Sequence, residues 1–122
     1  MAHILIADDA RDIRLAYEEF LSSKGHIVIT AANGIEAAAL MNDIDFDLII
    51  TDMLMPGYDG YELASLAKKL DHCPKILAIS GGGTRVTAEQ LMESHEAFFD
   101  ATLYKPVESS HLLQTINTLI AH

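Results

Sequence analysis

The chain has 122 residues, enough for one domain with its own core, and half of them are apolar, which argues against a disordered chain. A formal net charge of −10 argues against non-specific binding to nucleic acid or to an anionic membrane. One cysteine, Cys73, leaves no internal disulfide and fits a reducing compartment, the cytoplasm by default; no apolar run reaches a bilayer's span, and MAHILIADDA is too short and too acidic for a signal peptide.

In chain order, HILIA (3–7) reads as a buried strand. From Ile13, apolar residues recur at Ala16, Tyr17, Phe20 and Leu21, one face of a helix, and Lys24-Gly25 end it. HIVITA (26–31) is β-branched and reads as a second strand. Asn33-Gly34 opens a short helix over IEAAALM, and FDLIITD (46–52) is the third strand. Asp59 and Glu62 form a capping box before a helix with Leu63, Leu66, Ala67 and Leu70 on one face. KILAIS (75–80) is the fourth strand and GGGTR a loop. Thr87 and Gln90, flanked by Val86 and Leu91, predict a fourth helix. ATLY (101–104) is a short fifth strand, and Leu112, Leu113, Ile116, Leu119 and Ile120 predict the inner face of a last helix.

Uniformly apolar strands alternating with helices imply an α/β fold, (βα) five times, with a doubly wound five-stranded parallel sheet and helices on both faces. Crossovers are expected to be right-handed. No linker or repeat interrupts the chain, so one domain is expected over residues 1–122.

In such a sheet, functional groups gather at the carboxyl ends of the strands. Strand one ends in Asp8 and Asp9, strand three in Asp52, strand four in Ser80, and strand five in Lys105-Pro106. Strand two ends in Thr30 and Ala31, which carry no comparable chemistry. If the other four strands are neighbours, their polar groups share one crevice. Two carboxylates about 4 Å apart repel by roughly 4 kcal/mol at an effective dielectric near 20. Three therefore call for cations: Lys105, and a hard divalent ion such as Mg²⁺ with its preference for oxygen ligands. Around Asp52 these groups would stabilise a phosphoryl group in in-line transfer, with Asp52 as nucleophile. Each piece alone has a plainer role: Asp52 as a turn residue, Asp8-Asp9 facing the first helix's dipole, Lys-Pro as a strand exit. The glycine run lacks the Lys-Ser/Thr of a phosphate-binding loop. Six histidines show no ligand spacing and read as surface or core-edge residues.

Taken together, Asp8-Asp9, TDMLMPGYDG, Ser80 and Lys105-Pro106 resemble the receiver domain of two-component response regulators, a chemotaxis-regulator-like, flavodoxin-like fold, over the whole chain. The resemblance implies that Asp52 is the phosphoacceptor. It also implies that Asp9, Asp52 and the Leu54 carbonyl ligate Mg²⁺ directly and Asp8 through water, that Lys105 contacts the phosphoryl group, and that Ser80 swings toward it as a switch. The implied partners are a sensor histidine kinase or histidine phosphotransfer protein and a downstream protein target, with no direct role for nucleic acid or membrane. No enzyme activity is implied beyond slow Mg²⁺-dependent self-phosphorylation from small donors and autodephosphorylation. Thr102 stands where the family often has an aromatic switch residue; Tyr104, two residues on, either takes over part of that role or packs against the last helix. Leu54 and Gly82 replace frequent polar residues, which bears on phosphoryl lifetime. The alternative is a receiver-like docking domain that is never phosphorylated, and a hydrolase would need a cap that no insertion supplies.

Overall fold

The computed structural model describes residues 2–53, 57–80 and 99–121. Strands β1 (His3–Ala7), β2 (Ile27–Ala31), β3 (Leu48–Asp52), β4 (Lys75–Ser80) and β5 (Ala101–Tyr104) form one parallel sheet in the order β2-β1-β3-β4-β5. The described helices are α1 (Arg11–Ser23), α2 (Gly34–Asp43), α3 (Gly60–Ala67) and α4 (Ser109–Ile120). The helix expected at Thr87–Gln90 with its Val86 and Leu91 flanks, and the GGGTR loop, lie outside the described residues. Among the described residues no helix is long and apolar enough to cross a membrane.

Side chains alternate across a strand, so each strand feeds two cores. Ile4, Ile6, Leu48, Ile50, Leu77, Ile79 and Leu103 meet Leu21 of α1 and Leu112 and Ile116 of α4. Leu5, Ala7, Ile49 and Ile76 meet Ala37 and Met41 of α2 and Leu63, Ala64 and Ala67 of α3. Burial on both faces explains why the strands read as unbroken apolar runs.

The local signals set the element ends. Gly25 is left-handed (φ 90°), and the Gly25 and His26 amides turn back onto the Ser22 and Leu21 carbonyls, closing α1. The Asn33 side chain accepts the Glu36 amide at 2.8 Å, starting α2. The Asp59 and Glu62 capping box is reciprocal, at 2.8 and 3.0 Å. On α4, Leu119 and Ile120 pack against the core, whereas Leu113, partly buried like them, does not do so among the described residues. It is about 100° around the helix from Leu112, at the margin of the apolar stripe, and lines a surface groove with Ser110, Gln114 and Asn117.

Candidate functional site

The strand order makes β1, β3, β4 and β5 consecutive and leaves β2 at the edge. The four chemically bearing strand ends therefore stand side by side, and the barren end of β2 lies outside them. Alternation also matters here: Asp8 continues the face of Ile4 and Ile6, Asp52 that of Leu48 and Ile50, and Lys105 that of Leu103. All three charged side chains leave the sheet on the α1 and α4 side. Carboxylate oxygens of Asp8, Asp9 and Asp52 lie within 4.8 Å of one another. Asp8 is buried, Asp52 is 9% exposed and Asp9 is exposed.

The Lys105 ammonium is 3.4 Å from Asp52 Oδ2 and 3.8 Å from Asp8 Oδ2, one cation shared by two carboxylates. Its backbone is fixed by the Lys105 amide donating to the Ser80 carbonyl at 2.7 Å. The Asp52 peptide is held as firmly: the Thr51 hydroxyl donates to the Asp52 carbonyl, and the Met53 amide donates to Ile79. Among the described residues, three carboxylates against the Lys105 ammonium leave uncompensated negative charge. The donors are all oxygen, which fits a hard ion such as Mg²⁺ and suits a thiolate-seeking metal poorly. The same field reaches α1: burial, then the charges of Asp8 and Asp52, raise the pKa of the Tyr17 phenol.

Asp8 and Asp9 do different work. The Asp8 carboxylate accepts the Ala10 amide at 2.9 Å and pairs with Lys105, so it builds the turn after β1. It is not the cap of α1, whose N-cap is Ala10 with no side-chain hydrogen bond. Like-charge relief alone would make removal of either aspartate harmless to the metal-free protein. The contacts separate the two. Asp9→Ala is expected to raise stability by about 0.5 kcal/mol, whereas Asp8→Ala is expected to lower it by about 1 kcal/mol through the lost amide bond and lysine pair. Thermal melts in a chelator check this; equal shifts in the two variants would contradict it.

Ser80 is buried, and its hydroxyl has no hydrogen-bond partner among the described residues. Such a group is costly unless it has another use. Thr102 and Tyr104 are register partners of Ala78 and Ser80, on the sheet face opposite Leu103. Leu103 packs toward α4, whereas Tyr104 is 50% exposed at the sheet edge. Packing against the last helix thus falls to Leu103 rather than Tyr104. Leu54 lies outside the described residues.

One constellation was illegible in the sequence. At the opposite end of the sheet, His3 Nδ1 and His72 Nε2 approach the two oxygens of Asp47 at 3.8 and 3.7 Å. Asp47 also accepts the His3 amide, and its carbonyl accepts the Lys75 amide, so it ties the starts of β1, β3 and β4 together. Nothing in the spacing of 3, 47 and 72 signals this; only the register of the sheet does. Nearby, His26 accepts the Ala2 amide, and burial, then the positive chain terminus, lower its pKa.

The response regulator receiver domain family matches residues 4–117, and the chain belongs to that family. It is 35% identical over 118 residues to protein PetR of Rhodobacter capsulatus, covering 97% of this chain and 48% of that one. It is 33% identical to the response regulator receiver protein CpdR of Brucella abortus, covering 98% of each. The response regulator TrrA of Thermotoga maritima, solved with Mg²⁺ and BeF, superposes with a TM-score of 0.84 at 28% identity, covering 98% of this chain and 99% of that one. The chain spans about half the length of the first curated relatives it matches, at 48%, 56% and 47%. Receiver domains are signalling domains of two-component systems, and the acidic pocket in which they bind Mg²⁺ is present here as Asp8, Asp9 and Asp52.

Proposed function

We propose that Asp52 accepts a phosphoryl group from a histidine kinase or histidine phosphotransfer protein, and that the phosphorylated domain signals by docking to a downstream protein without touching nucleic acid itself. The observation that carries this reading is the Lys105 ammonium held 3.4 Å from an Asp52 carboxylate that two further carboxylates crowd. In the step, an Asp52 oxygen attacks phosphorus, the bond from phosphorus to the donor's imidazole nitrogen breaks, and an acyl phosphate forms on Asp52. Lys105 then faces the phosphoryl oxygens as well as the carboxylate. Asp9, Asp52 and the Leu54 carbonyl would hold Mg²⁺, with Asp8 acting through water, and the ion would supply positive charge against the carboxylates and the transferred oxygens.

The Ser80 hydroxyl, unpartnered among the described residues, is the natural responder, because the phosphoryl group would offer it an acceptor. Tyr104, whose register partner is Ser80 and which is half exposed, would follow it, beside Thr102. A constitutive docking role would not need the acidic cluster, the lysine and the hydroxyl together. Incubation with Mg²⁺ and acetyl phosphate, followed by intact-mass measurement, should add one phosphoryl group per chain, slowly and only while Mg²⁺ is present. An unchanged mass with both acetyl phosphate and phosphoramidate would favour the docking domain.

A further inference from the structure

Asp9 is the exposed member of the acidic cluster, and among the described residues its carboxylate makes no hydrogen bond or ion pair. Its direction is therefore set by the peptides on either side of it. Those are held at three points: the Asp8 amide donates to the Ala31 carbonyl at 3.2 Å, the Ala10 amide donates to Asp8 Oδ1 at 2.9 Å, and Arg14 Nη1 donates to the Asp8 carbonyl at 2.9 Å. The third tie is the unusual one. Arg14 lies in the first turn of α1, where the helix dipole disfavours a cation. Side chains on a helix lean toward its N-terminus, which carries the guanidinium back over the turn it leaves. There it is partly buried and, among the described residues, donates to a peptide carbonyl rather than to any carboxylate. Arg11, its neighbour in the same turn, is exposed.

We propose that Arg14 is a positioning residue for the metal site: by clamping the Asp8 carbonyl it orients the Asp8–Asp9 peptide and so aims the Asp9 carboxylate at Asp52. This rests on the reading of the cluster as a Mg²⁺ site. Positioning and simple counter-charge make opposite predictions. Removing a cation beside three carboxylates tightens Mg²⁺ binding if Arg14 acts by charge alone. It weakens binding if Arg14 acts by holding the turn, because groups that orient metal ligands typically contribute about tenfold or more in affinity.

The experiment measures Mg²⁺ affinity by calorimetry, at one ionic strength, for the wild type, Arg14→Met and Arg14→Lys. Amide exchange at Asp9 and Ala10 is followed in the metal-free proteins. Arg14→Met is expected to bind Mg²⁺ about tenfold more weakly and to exchange those amides faster. Arg14→Lys keeps the charge on a head without the planar fork, and is expected to fall between. Equal or tighter binding by Arg14→Met overturns the proposal. Should Arg14→Met fail to fold, Arg14→Lys decides: weaker binding supports positioning, and wild-type affinity with wild-type exchange overturns it. A wild type that binds no Mg²⁺ overturns the reading of the cluster itself, and the role of Arg14 with it.

Discussion

Asp52→Asn is expected to lose phosphorylation by acetyl phosphate completely while keeping the fold. The amide has nearly the shape of the carboxylate but is not an anionic nucleophile and is a poor ligand for a hard cation. Its effect on stability is small because two terms oppose. Losing the charge relieves repulsion from Asp8 and Asp9, and it forfeits the pair with Lys105 at 3.4 Å. Asp52 is largely buried, so each term exceeds that of a surface pair, but the two have opposite signs and the melting temperature should move by only a few degrees. Two ties of the peptides around Asp52, from the Thr51 hydroxyl to its carbonyl and from the Met53 amide to the Ile79 carbonyl, remain in the variant. Intact mass with and without Mg²⁺, beside a thermal melt, measures both halves. A phosphoryl group on the variant at wild-type yield would move the acceptor to another residue.

Gly34→Ala is expected to be the most destabilising of these changes, by about 3 kcal/mol, which corresponds to a fall of about 10 °C in Tm. Gly34 opens α2, and a methyl group there would run into the Tyr58 carbonyl, with the Tyr58 carbonyl carbon and amide nitrogen each only 2.6 Å away. These are backbone atoms, so no rotamer change relieves the clash. The backbone at Gly34 is not left-handed, so the cost is steric rather than conformational. Helix propensity would favour alanine by up to about 1 kcal/mol, and the collision is expected to outweigh it. Tyr58 belongs to the segment that leads from Asp52 to α3, beside Gly57 with φ 82°. Displacing it should also disturb the acceptor loop. Denaturant unfolding of the variant checks the magnitude; stability equal to the wild type would mean that the two segments separate at little cost.

Much of this architecture was legible without coordinates, for reasons that are local. Apolar runs with no alternation betray strands buried on both faces, and HILIA, FDLIITD and KILAIS became the inner strands of one parallel sheet, while ATLY became its edge strand with Tyr104 exposed. Caps act over three or four residues, so Asn33, Asp59 with Glu62, and Gly25 could be read directly. The order Asp-Asp, Asp, Ser, Lys at successive strand ends pointed to one crevice because a parallel sheet places equivalent ends at one edge.

What the chain's periodicity could not carry was the contact between distant segments. Strand order decided that β2 stands apart, strand register decided that His3 and Asp47, 44 residues apart, share a hydrogen bond, and the turn before β4 brought His72 to them. The rotation of α4 against the sheet decided that Leu112 is fully buried and Leu113 only partly, although both are leucines in one predicted stripe. The turn after β1 decided the rest. It made Asp8 a structural carboxylate, left Asp9 without a partner among the described residues, and brought the Arg14 guanidinium to the Asp8 carbonyl. Two adjacent aspartates are identical in composition and pattern. Their difference arises from burial and from which donors the folded backbone turns toward each, and those depend on packing between elements that no local pattern encodes.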